Sequence, residues 1–191
     1  MLALLAASGA QVDVVAVTDG EASHPGGSVA PQVLAGLRAA ETAAALAALG
    51  VPGTIRRLRL PDGASAALEP PLVDRLRVSP GTWLLSPWAG DGHPDHEAVG
   101  RACQRVAARD DARLLTYPVW MWHWAAPGED SVPWHRARRV DLPEPVRAAK
   151  RRALAAFATQ TQPLGPIPAD APVLPAWVLE RFGRPWEMVF G

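Results

Sequence analysis

The segment Ser86-Pro-Trp-Ala-Gly-Asp-Gly-His-Pro-Asp-His96 gathers two imidazoles, His93 and His96, and two carboxylates, Asp91 and Asp95. Neutral imidazole is the commonest protein metal ligand and a general acid–base near neutral pH. Gly90 and Gly92 let the backbone turn sharply and approach a ligand. A bare His-x-x-His also caps helices in plain solvent, so the pattern needs a structural setting before it means chemistry.

That setting comes from the elements on either side. Thr82–Ser86 reads as a strand, and Pro94–Arg109 as a helix with proline in its first turn. Val99, Cys103 and Val106 recur at helical spacing, and His96 precedes Val99 by three, on the same inward face. The histidines therefore stand at the C-terminal end of a strand, the rim where open α/β sheets bind ligands.

The rest of the chain alternates in the same way. Strands are expected at Val12–Val17, Ile55–Leu60, Arg113–Tyr117 and Arg136–Leu142, and helices at Pro31–Leu49, Pro70–Val78, Glu144–Phe157 and Ala176–Phe182. Met1–Ser8 reads as the end of a helix. This order predicts an α/β fold, a Rossmann-like three-layer sandwich with a mainly parallel sheet, in a single domain over residues 1–191.

Composition narrows the classes. The 191 residues carry no net charge, which gives no argument for nucleic acid or an anionic membrane as partner. Cys103 is the one cysteine, so a disulfide framework and a cysteine-rich zinc site are excluded, and a reducing cytoplasm fits. Lys150 is the one lysine beside many arginines, with much Ala, Gly and Pro, as in a GC-rich bacterial genome. No Gly-x-Ser-x-Gly elbow and no phosphate-binding Gly-x-x-x-x-Gly-Lys motif is present.

Gly-His-Pro-Asp-His is similar to the second signature of the PIG-L/LmbE-like family of zinc-dependent N-acetylglucosaminyl de-N-acetylases. Val17-Thr-Asp-Gly-Glu21, Arg38-x-x-Glu41, Leu49-Gly-Val51, Leu60-Pro-Asp-Gly63, Lys150-x-x-Ala153 and Gln160 resemble further family segments, in the family's order. The resemblance implies a hydrolase that removes an N-acetyl group from an amino sugar or related small amide. In it, zinc polarises the carbonyl and activates a water. By position, His96 resembles the zinc ligand, and His93 the histidine that stabilises the oxyanion and protonates the leaving amine. Asp95 resembles the acid that tunes that histidine, and Asp62 a further acid of the site. Arg38 and Glu21 resemble residues that hold the polar head of the substrate.

Next to the histidines, Trp88 and Asp91 are further candidates for substrate contact, Trp88 as an apolar wall for a sugar face. Trp120, Trp122 and Trp124 alternate at strand spacing, which would put them on one face as a substrate wall or a contact between copies of the chain. Plain packing is the competing reading for all of them, and turn formation for Glu21 and Asp62.

The sequence departs from the family at one point. The family's opening strand ends in His-Pro-Asp-Asp and supplies further zinc ligands and the general base. The nearest match here, His24-Pro25, is followed by Gly26-Gly27. One histidine does not make a catalytic zinc site. The expectation is an N-terminally truncated form of a working hydrolase, impaired as it stands. The alternative is a non-catalytic, sugar-binding relic of the same fold.

Overall fold

A computed structural model describes residues 1–51 and 54–191, with the side chains of all of these but Ser65 and Ala66. The described chain forms two compact units, Met1–Asp62 with Asp141–Glu187, and Gly63–Val140 with Met188–Gly191.

In the first unit, α1 (Leu2–Ala7) precedes a parallel pair, β1 (Val14–Ala16) and β2 (Ile55–Arg57), with Val14 opposite Ile55. Between them runs α2 (Pro31–Ala48), opened by Pro31. Its buried Leu34, Ala45 and Leu46 form an inward stripe, and it packs on α6 (Glu144–Ala155). Small alanines along α2 let the two helix backbones come close. The short α7 (Ala158–Thr161) is pinned to α2 by Glu41, whose carboxylate accepts from Thr159 N–H and Oγ1, both at 2.7 Å. The first of these bonds satisfies a backbone donor left unpaired at the start of the helix. The helix expected at Ala176–Phe182 is present as α8.

In the second unit, β3 (Trp83–Pro87) and β4 (Arg113–Tyr117) pair in parallel through α4 (Pro94–Asp110). Ala98, Ala102, Cys103 and Val106 bury one face of α4. Gly100 brings it hard against the loop after β3, since a Cβ there would lie 2.8 Å from Ala89 N and 2.9 Å from Pro87 O. The sheet order is β3-β4-β6-β5, with β5 at Ala137–Asp141 and β6 at Trp186–Phe190. β6 runs antiparallel to β4. β1 and β3 each lie at an edge of their own sheet, and Trp83 on β3 is 54% exposed.

Three differences from the sequence reading have physical causes. The helix expected from Pro70 begins at Ser65 and carries Pro70 and Pro71 inside it, as α3 (Ser65–Arg75). Two prolines remove two backbone donors, and the offset is the complete burial of Leu68 and Leu72 in a helix packed on α4. The Trp120–Trp124 run is helical, not a strand. Met121–Trp124 forms α5, so the tryptophans do not share one face. Finally, β6 follows α8 in a stretch where no element was expected, paired there with β4.

Candidate active site

The histidine loop is built around Asp91. This residue is completely buried, and its carboxylate accepts four hydrogen bonds. Oδ1 accepts from Val119 N–H at 2.8 Å and Met121 N–H at 3.0 Å. Oδ2 accepts from Trp120 N–H at 2.7 Å and His96 Nδ1 at 2.6 Å. Burial alone pushes the Asp91 carboxyl up, but the His96 ring and the N–H groups of Met121, Trp120 and Val119 outweigh it and hold the carboxyl below the usual carboxylate range. An ionised Asp91 fixes His96 with its proton on Nδ1 and its lone pair on Nε2. This is the carboxylate–imidazole arrangement that orients a ligating or proton-accepting histidine. Asp91 was expected at the substrate; in the structure it is completely buried, and its carboxylate is engaged by His96 and the N–H groups of Val119, Trp120 and Met121.

His93 is the N-cap of α4, and its Nδ1 accepts from Asp95 N–H at 3.3 Å. An accepting Nδ1 leaves the proton of the neutral ring on Nε2. The two imidazoles stack with centroids 4.4 Å apart. Trp120 meets His93 edge-on at 5.4 Å and stacks on His123 at 3.9 Å. Asp95 is buried, its Oδ2 accepting from Gly63 N–H at 2.7 Å, while its Oδ1 has no hydrogen-bond partner. Its link to His93 in the structure therefore runs through its backbone N–H.

Gly92 makes the loop possible. Its φ is +82°, and a Cβ there would stand 2.5 Å from Trp124 Nε1, which itself donates to Asp91 O at 2.8 Å. Trp88 is drawn into packing, its ring 5.1 Å from that of Phe190 and closed over Gly90. The aromatic edge beside His93 is Trp120, not Trp88. Asp91 and Trp120 are the residues whose roles the sequence obscured. The only sequence signal was the position of Asp91 at a strand-end glycine turn before two histidines.

In the first unit, Asp62 closes the loop after β1. Its carboxylate accepts from Thr18 Oγ1 and Ala22 N–H, both at 2.9 Å, and its own N–H donates to Glu21 Oε1 at 3.1 Å. Glu21 Oε2 and Arg38 Nε are buried with no hydrogen-bond partner. Arg38 Nη2 donates to Ser23 Oγ at 2.9 Å. Burial lowers the Arg38 pKa, against the opposing charges of Glu41 and Asp62. Arg38 lines a cavity of about 420 Å³ with Thr18, Asp19, Thr42, Arg57 and Gln160. Of the family-like segments of this unit, Thr18, Asp19, Gly20, Arg38 and Gln160 line this cavity.

Among the described residues no three His, Cys, Asp or Glu side chains come close enough to hold a metal ion. His96 is a single well-oriented donor, whereas catalytic zinc takes about three protein ligands. The donor set present does not fit a catalytic zinc ion.

The fold is that of known deacetylases. A40926 pseudoaglycone deacetylase Dbv21 superposes with a TM-score of 0.67 at 21% identity, over 99% of this chain and 88% of that one. The zinc-inhibited form of teicoplanin deacetylase Orf2 gives 0.70 at 16%, over 99% and 90%. The N,N'-diacetylchitobiose deacetylase of Pyrococcus horikoshii, complexed with an inhibitor, gives 0.56 at 18%, over 82% and 63%. No curated protein matches the sequence. The GlcNAc-PI de-N-acetylase (PIG-L) family model matches residues 1–107, and the chain belongs to that family.

Proposed function

We propose that the chain carries the acid–base and substrate-holding parts of a de-N-acetylase acting on an N-acetylated amino sugar or a related small amide. The observation that carries this reading is the Asp91–His96 pair with His93 stacked on it, at the start of α4. His93, with its proton on Nε2, donates a hydrogen bond to the oxygen that becomes negative when water attacks the amide carbonyl, and the proton released by that water goes to the departing amine as the C–N bond breaks. Such a donor is worth about 10²–10⁴ in rate. His96 presents the lone pair on Nε2, fixed by ionised Asp91. Arg38 and Glu21, each with an unmatched buried polar atom, hold hydroxyls of the sugar. Asp62 keeps the Glu21 loop in place. Zinc is the metal that the family relationship implies. With His96 as its one donor among the described residues, the form described here is an impaired hydrolase.

The incomplete donor set also favours a second reading, a sugar-binding relic without catalysis. Release of free amine from N-acetylglucosamine, with and without added zinc, separates the two. Amine release that rises with zinc and falls at least 100-fold in His93→Ala supports the hydrolase. Binding of N-acetylglucosamine that ignores chelators, with no amine released, supports the relic. Failure of both binding and release overturns the proposal.

A further inference from the structure

His24 has no place in a metal site, yet it is only 8% exposed and its ring joins two distant segments of the first unit. His24 Nε2 lies 3.2 Å from Ala171 O, and Nδ1 lies 3.0 Å from Ser23 Oγ. Ser23 Oγ in turn accepts from Arg38 Nη2 at 2.9 Å. A carbonyl oxygen only accepts, and a guanidinium only donates. With the His24 ring neutral, the chain of hydrogen bonds has one polarity. Arg38 donates to Ser23, the Ser23 hydroxyl donates to Nδ1, and Nε2–H donates to Ala171. This order uses the neutral ring with its proton on Nε2.

Asp170, next to Ala171, reinforces the junction. It is completely buried, and it accepts from Ser28 N–H at 2.7 Å and Ser28 Oγ at 2.6 Å. Two glycines make room for its carboxylate. A Cβ at Gly27 would stand 2.9 Å from Oδ1, and one at Gly165 would collide with Oδ2. On the other side of Arg38, a Cβ at Gly20 would stand 2.8 Å from Nη1. The guanidinium is thus held between the Gly20 backbone and the Ser23 hydroxyl.

We infer that Ser23, His24 and Asp170 are positioning residues that tie the loop over residues 20–28 to residues 164–171 and thereby fix the Arg38 guanidinium at the cavity. The inference rests on the proposed role of Arg38 in holding the sugar. A buried histidine bonded to a carbonyl is commonly a structural clamp and nothing more. The link through Ser23 to a cavity-lining cation is what distinguishes this one, because a clamp alone needs no such link.

Ser23→Ala removes the hydroxyl between Arg38 and His24 Nδ1, cutting the chain to Arg38 while leaving the His24–Ala171 and Asp170–Ser28 bonds in place. Two readouts apply, both on the full chain. In the first, selectively labelled protein is followed by nitrogen NMR. His24 is expected with its proton on Nε2, and the Arg38 guanidinium signals are expected to lose their protection from exchange in Ser23→Ala and regain it in Ser23→Thr, which keeps the hydroxyl. In the second, N-acetylglucosamine binding is expected to weaken about 5-fold in Ser23→Ala, to recover in Ser23→Thr, and to be no weaker in the double variant with Arg38→Ala than in Arg38→Ala alone. A proton on His24 Nδ1, or guanidinium signals unchanged in Ser23→Ala, overturns the inference. If the wild-type chain does not bind the sugar, or Arg38→Ala does not alter binding, the substrate role of Arg38 falls, and the NMR readout alone decides the positioning chain.

Discussion

Asp91→Asn keeps shape and volume and removes only the charge and one acceptor. The amide oxygen can take the place of Oδ1 and keep the bonds from Val119 and Met121. The amide nitrogen then faces Trp120 N–H and His96 Nδ1, both of which donated to Oδ2. One buried backbone N–H is orphaned, at about 1–3 kcal/mol, and one charge-assisted bond is lost, at about 1.5–3 kcal/mol. Relief of the desolvation of a buried carboxylate works in the opposite direction. The lower part of the range, about 3 kcal/mol, is therefore expected. For a chain of this length that lowers the thermal midpoint by about 6–12 °C. Thermal unfolding followed by circular dichroism, together with urea unfolding at unchanged slope, measures it. The same variant moves the His96 proton from Nδ1 to Nε2, because Nδ1 must now accept, and nitrogen NMR reads that change. A stability loss under about 1 kcal/mol, or a proton still on Nδ1, would refute the account of Asp91 as the anchor of this loop.

Other consequences are open to direct measurement. Gly92→Ala meets both a positive φ and the Trp124 ring, and is expected to cost about 2 kcal/mol or more in urea unfolding. Gly100→Ala gains about 1 kcal/mol of helix propensity but drives a methyl into the backbone at Pro87 and Ala89, so net destabilisation is expected by the same method. Burial pushes the Cys103 thiol up to about 11, so it should resist a thiol reagent at pH 8 while folded and react once unfolded. Asp91 is held below the usual carboxylate range in the folded chain, so its contribution to stability is complete above about pH 5 and lost as pH falls from about 4 through its depressed native value. Asp91→Asn should show a shallower acid-side fall in stability than the wild type, and an equal fall would count against this assignment.

Much of the architecture was legible because its cues are local. Pro31 and Gly50 bracket α2, Arg113–Tyr117 is a strand at the expected residues, and the histidine loop sits between β3 and α4 as its glycines and proline require. What failed to show is what depends on distant partners. Pro70 and Pro71 look like a helix start until the burial of Leu68 and Leu72 against α4 is known. Alternating tryptophans fit a strand, but the segment after β4 is turned into a helix by the Asp91 carboxylate gathering three successive N–H groups, a tertiary event with no local signature. For the same reason, Asp91 read as a candidate for substrate contact, whereas its carboxylate is buried against the N–H groups of residues 119–121. His96 was placed by its spacing alone, whereas its tautomer follows only from Asp91.

The position of β6 has a consequence for how the second unit comes into being. This strand lies inside the sheet, between β4 and β5, although it follows both in the chain. Phe190, opposite Thr116, is 1% exposed and packs in the cluster with Met121, Ala125 and Val132. Until β6 arrives, β4 and β5 have no bonded neighbour on their facing edges, and the α5 cluster lacks its central ring. Assembly is thus governed by a late, sequence-distant pairing, which slows folding and prolongs the exposure of apolar edges. Trimming the chain before Trp186 removes the middle of the sheet and not its rim, so the loss would fall on yield and solubility well before it reached the histidines.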